Sequence, residues 1–354
     1  MKIGRTMQEL AVELNRQNTA KRDFVVNSTA MEMSDNGFNF KLNRYFDGEL
    51  ASQPTFGTTD LFHRQVGSVL NIPAKYYDKM RSEYPSLLAE NVNGWLDKKD
   101  SRHTIRTLDG TARAFLSDRY RRIDNAQIAE AVLPVISEMP DARVESCEVT
   151  DDRMYLKVVN PRLEAEVTKG DVVQSGIVIS NSEVGLGSVS VMPLIFRLVC
   201  TNGMIAADSG QRKYHIGRQN EEDWELFSDE TLIADDRVLM MKLADTVRTA
   251  VDAAKFAVIV DRLRESTEAK ITAPIVDVVE LTGKQYGFTK SENDGILQHL
   301  ITGGDLSLYG LSNAVTRTAA DVDSYDRATA LEGLGYQIVT MPPKMWREMN
   351  EVAL

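Results

Sequence analysis

The spacing of apolar positions changes several times along the chain. Thr6-Met7-Gln8-Glu9 precedes Leu10, Val12 and Leu14. This is the S/T-x-x-E form of a capping box, so a first helix is expected to run to about Gln17. Phe24 to Met33 and Phe38 to Leu42 read as strands around Ser34-Asp35-Asn36-Gly37, whose glycine can take positive φ. Thr58 to Leu70, Ala74 to Arg81 and Pro85 to Leu96 have helical spacing, with Pro73 suited to the first turn of the second. His103 to Leu108 and Thr111 to Leu116 then flank Asp109-Gly110, a strong hairpin signal.

Asp124-Asn125 can cap a helix running to about Met139, with Pro134 as a point for a kink. Arg143 to Val149 and Arg153 to Val159 form a second hairpin around Asp151-Asp152. Val172 to Ser180 and Ser188 to Cys200 form a third, around the loop Asn181 to Gly187. These runs alternate only in part, as half-buried antiparallel strands do. Beyond Ala206 the spacing turns helical. One long helix is expected from Thr231 to about Glu265, then shorter ones over Pro274 to Tyr286, Ser291 to Ile301, Leu311 to Thr318, Tyr325 to Leu334 and Pro342 to Val352. The predicted fold class is α+β, with antiparallel β-hairpins and flanking helices in the N-terminal part and a mostly helical C-terminal part. The expected organisation is an α+β core over residues 1–206, a linker over 207–228 and a helical domain over 229–354.

A hydrophobic fraction of 43% in 354 residues is enough for a sizeable core. The first residues lead straight into an amphipathic helix, and no run of about 18 apolar residues occurs. A cytoplasmic protein that does not enter a membrane is therefore expected. Cys147 and Cys200 read as two buried free thiols rather than a disulfide framework. The histidines His63, His103, His215 and His299 form no HxxxH or HExxH pair, so neither metal nor cofactor is expected. The absence of GxxxxGK[ST] excludes a P-loop motor.

Net charge is −11, which by itself opposes nucleic-acid binding. The charge is uneven, however. Between Lys98 and Arg122, eight basic residues face three acids, whereas Glu221 to Asp236 holds eight acids. Within the basic stretch, Arg119-Tyr120-Arg121-Arg122 places arginines around an aromatic ring. Guanidinium groups bind phosphates bidentately and a ring can stack a base, a combination suited to single strands. Arg102, Arg106 and Arg113 on the neighbouring hairpin, and Arg212 and Lys213 further along, complete the candidate nucleic-acid-binding set. The same arginines could instead pair with Asp118 and Asp124 at a solvated hairpin end. The Asn181–Gly187 loop could admit a ligand to its backbone or be a plain hairpin loop.

Four stretches carry a family resemblance: Ile72 to Tyr77 with Pro85 to Leu96, Phe115 to Arg122, Asn181 to Gly203, and Tyr309 to Arg317 with Ser324 to Ala328. Through them the chain resembles the phage/plasmid-like family known as domain of unknown function nine-three-two. That resemblance implies a setting among mobile genetic elements and supplies no catalytic residues. The hairpins followed by helices are also similar, at the level of fold analogy, to single-strand annealing proteins of the Rad fifty-two superfamily.

The leading expectation is an ATP-independent protein, not an enzyme, that binds or anneals single-stranded DNA in recombination or replication. Its copies would form a homo-oligomeric ring or filament. The alternative is an interaction or counter-defence factor that binds a host protein through its acidic surface. A third reading is an enzyme acting on nucleotides, with Cys200, His215 and Glu183 as candidate polar groups.

Overall fold

A computed structural model describes residues 1–42, 55–120, 122–187, 189–206, 229–250 and 252–351. The chain opens with α1 (Met7–Ala20), β1 (Arg22–Asn27), β2 (Met31–Met33), β3 (Asn39–Leu42) and β4 (Thr55–Thr58). Three helices follow: α2 (Asp60–Val69), α3 (Ala74–Glu83) and α4 (Pro85–Lys99). Then come β5 (Arg102–Leu108), β6 (Thr111–Ser117), α5 (Asn125–Glu138), β7 (Arg143–Val149), β8 (Met154–Thr168), β9 (Asp171–Asn181), β10 (Ser190–Arg197) and β11 (Asn202–Ile205). The remainder is helical: α6 (Asp229–Ala250), α7 (Ala253–Glu268), α8 (Ile275–Tyr286), α9 (Lys290–Gly303), α10 (Leu308–Thr318), α11 (Tyr325–Val339) and α12 (Pro343–Glu351). The fold is α+β, and its strands precede its C-terminal helices.

Two sheets organise these elements. The first has the order β1-β5-β6-β4-β3-β2, antiparallel except where β4 runs parallel to β6. Asp109 and Gly110, at φ 50° and 76°, make the tight turn between β5 and β6. One face of this sheet buries Phe40 and Phe115 against Phe62 of α2, with Phe40 and Phe62 centroids 5.1 Å apart. Within the same layer His63 is fully buried. Thr58 gives its hydroxyl proton to the Phe38 carbonyl, so its oxygen accepts from His63 Nε2 at 2.8 Å, and Tyr77 donates to Nδ1 at 2.8 Å. That arrangement requires a neutral ring, and burial lowers its pKa to about 4.

The second sheet, β11-β10-β9-β8-β7, is covered on both faces. Leu156, Val158, Ile177 and Ile179 pack with α1, α5 and α6. The intervening positions Tyr155, Val159 and Val178 lie in a separate cluster with Tyr325 of α11. Two buried faces explain why these strands alternate only partly in sequence. Lys157 lies among the latter positions and pairs with Glu332 of α11 at 2.6 Å, both side chains fully buried. Its Nζ also sits 4.6 Å over the Tyr325 ring.

The Thr6–Glu9 capping box forms as predicted, and a second forms at Thr289–Glu292. α5 runs on through Pro134. Three expectations are corrected. The single helix from Thr231 to Glu265 is two helices, because Asp252 leaves helical geometry and caps α7 by accepting from Lys255 N at 3.0 Å. The strand expected to end at Cys200 stops at Arg197, and Asn202–Ile205 returns beside it as β11. Thr55–Thr58 is a strand that periodicity missed, since it is short and contains Gly57. The expected linker, 207–228, lies outside the described residues.

Candidate nucleic-acid interface

The hairpin arginines divide into an internal and an external group. Arg106 on β5 is fully buried. It donates from Nε to Asp23 at 2.9 Å, from Nη2 to Asp124 at 2.6 Å and from Nη1 to the Glu183 carbonyl at 3.0 Å. Arg113 on β6 is buried against the Glu183 carboxylate. Lys21 closes the group at 2.5 Å from Asp124. Three cations thus meet three carboxylates within the protein, as buried charges require. Burial opposes the charge on Arg106, yet Asp23 and Asp124 outweigh it and raise its pKa. Burial also pushes Asp124 upward, but Arg106 and Lys21 prevail and hold its carboxyl below the ordinary range.

Glu183 is the residue that sequence reasoning undervalued. It accepts from the Asn125 amide at 2.7 Å as well as from Arg113. Its loop is no open hairpin tip: Asn181, Ser182, Glu183 and Val184 are all buried. Gln65 of α2 donates to the Val184 carbonyl at 2.8 Å and its own oxygen accepts from Phe115 N at 2.8 Å. The loop therefore fastens the second sheet to the first. Tyr120 belongs to the same junction. Its hydroxyl donates to the Ser182 carbonyl at 3.1 Å, and its ring packs with Leu61, Leu116 and Val184. The structure thus assigns Arg106, Arg113 and Tyr120 to the interior: Arg106 and Tyr120 bond to groups of the protein itself, and Arg113 is buried and paired with Glu183.

Arg102, Arg119 and Arg122 remain at the surface. Arg102 opens β5 and lies beside the end of β6, where it meets Asp118 at 3.2 Å while staying 55% exposed. Arg122 approaches Asp23 at 3.6 Å and is 53% exposed. Arg119 is exposed and forms no ion pair with a described residue. Lys98 and Lys99 end α4 immediately before β5. On the same helix Trp95 is 49% exposed, with Lys98 Nζ 5.5 Å from its ring. Trp95 is the aromatic that sequence reading passed over; its spacing resembles that of a helix packing residue, and only the packing shows it facing outward. Arg121, Arg212, Lys213 and His215 lie outside the described residues.

On the other side of Arg113 a cleft of about 430 Å³ is lined by Asp60, Asp151, Asp152 and Asp326, with Arg64 opposing them. Such a wall repels a phosphate backbone. The described residues contain no cluster of His, Cys, Asp or Glu able to hold a metal, and no helix long and apolar enough to cross a membrane. Cys147 is buried as expected, with Sγ donating to the Arg5 carbonyl at 3.1 Å. Cys200 differs from expectation: it is only half-buried, because it sits in the turn between β10 and β11.

These features define an α+β protein with two sheets joined by an internal charge cluster and bordered by a basic, aromatic edge. Residues 113–223 match the family described as Domain of unknown function (DUF932). Within the described residues that match runs from β6 to β11 and includes Arg113, Asp124 and Glu183. No curated protein and no solved structure matches the chain.

Proposed function

We propose that the chain binds single-stranded DNA along the edge formed by the end of α4, the start of β5 and the loop after β6. Lys98, Lys99, Arg102, Arg119 and Arg122 hold phosphates, and Trp95 stacks a base. The observation that carries this reading is the exposed Trp95 ring beside Lys98, continued by three surface arginines whose charge is not buried. Base–aromatic stacking contributes about 1–3 kcal/mol per base and suits any sequence. Assembly of several copies would align such edges into one groove and offset the negative total charge. Annealing in phage or plasmid recombination is the role this binding would serve.

Fluorescence anisotropy with a labelled single strand at several salt concentrations tests it. Binding should weaken with salt, by a slope of about 0.7 for each phosphate neutralised. The R102A/R119A/R122A variant should lower that slope by about 2. Absence of binding at low salt, or an unchanged slope in the variant, would reject the reading. A second reading, docking of a host protein, is favoured by α6, where Ile233 and Met241 are 68% and 60% exposed two turns apart. A stoichiometric protein complex formed by a chain without DNA affinity would support it instead.

A further inference from the structure

A cavity of about 230 Å³ lies between the β10–β11 turn and the facing ends of α9 and α10. Its wall includes Arg197, Cys200, His299, Asn313, Arg317 and Asp305. Each basic side chain on this wall is held differently. Arg197 is held by Asp171 at 2.6 Å and lies 5.8 Å from the Tyr309 ring centroid, and Tyr309 in turn donates to Asp171 at 2.9 Å. This brace aims Arg197 Nη1 at the Cys200 sulfur, 3.3 Å away. His299 is fixed by Asp321 at 2.6 Å. Arg317 is half-buried on α10, and its guanidinium makes neither hydrogen bond nor ion pair with a described residue. Asp305 shares the wall but is not within ion-pairing distance of it.

A guanidinium that has lost part of its hydration without gaining a partner is unfavourable unless an anion completes it. The neighbouring backbone is also unusual. Thr201, a β-branched residue, has φ 49°, and its carbonyl accepts from the Met1 amino group at 2.7 Å. The turn that presents Cys200 is therefore held in a strained shape. The cavity is smaller than the roughly 300–1,000 Å³ of pockets for drug-sized ligands, so it suits a compact group.

We propose that this cavity binds a small oxyanion, a phosphate ion or the head group of a phosphate monoester, between Arg317 and Arg197, with the Cys200 thiol in contact with it. The site is independent of the DNA-binding edge, since it shares no residue with it.

Alkylation of the full chain tests the site, with adducts at Cys200 quantified by peptide mass spectrometry and the buried Cys147 as internal reference. An anion site beside the thiol should favour anionic iodoacetate over neutral iodoacetamide by about tenfold relative to free cysteine, which corresponds to about 1.4 kcal/mol. Inorganic phosphate at millimolar concentration should remove that preference. Thymidine 5′-monophosphate in a parallel arm separates the sources: stronger protection by the ester identifies a head-group site, and stronger protection by phosphate a site for the free ion. R317Q should return the ratio to that of free cysteine. A wild-type ratio equal to that of free cysteine, or absence of protection by both phosphates, would overturn the proposal. So would a preference unchanged in a folded R317Q. The protection arms use the wild-type chain and so decide the matter even if R317Q does not fold.

Discussion

Buried charge at single residues makes the sharpest predictions. Lys157 and Glu332 are both fully buried, and burial lowers the lysine pKa despite the carboxylate beside it. Removing one partner leaves the other charge desolvated and alone. Glu332→Ala should therefore cost about 3–5 kcal/mol in a denaturant titration. The paired change K157M/E332L removes both charges and should cost much less. His63 behaves differently. Its folded pKa is about 4, against an ordinary 6.5. The unfolded chain takes up a proton as pH falls below about 6.5, while the folded chain resists until about 4. Stability is thus fully present above 6.5 and declines by about 3 kcal/mol on the way to pH 4. His63→Gln should flatten melting temperature against pH across that window. Asp124 acts in a lower window: its carboxyl is held down in the fold, so its contribution is present above about 3.9 and fades as pH falls further.

Among the elements, the Asn181–Gly187 loop couples the two sheets, and Gly185 permits its close approach. Gly185 has φ 82°, and a Cβ there would lie 2.5 Å from a methyl carbon of Leu116. Gly185→Ala should destabilise the protein by about 1–3 kcal/mol, read by urea denaturation. The break between α6 and α7 makes a milder prediction. Asp252→Ala removes the cap on the Lys255 amide and should cost about 1 kcal/mol, with faster hydrogen exchange confined to the first turn of α7. The hairpin at Asp109-Gly110 and the Thr6–Glu9 capping box were legible because each is specified by neighbouring residues. The helix break was not, since one aspartate at Asp252 interrupts an otherwise continuous 3.6-residue pattern. The docked loop was also illegible, because the partners of Glu183 lie 58 and 70 positions away.

Across the whole molecule, a net charge of −11 repels a polyanion at long range, so a local edge must supply the attraction. On the DNA-binding proposal, Asp118 restrains Arg102 at that edge. Asp118→Asn should then tighten single-strand binding by roughly threefold to tenfold at low salt, with the gain vanishing at high salt. Unchanged affinity would show that Arg102 does not contact the strand.

Local pattern determined that this chain forms hairpins and helices in this order, and that basic residues crowd around the hairpin of β5 and β6. Period, capping and turn chemistry act between near neighbours, so they are written in the sequence itself. Which of those basic residues face water was decided only in three dimensions. Arg106 and Arg113 are chemically the same as Arg102 and Arg119, but the fold brings Asp23, Asp124 and Glu183 to the first pair. A buried guanidinium is tolerable only beside such carboxylates, and distant parts of the chain supply them only once it has folded.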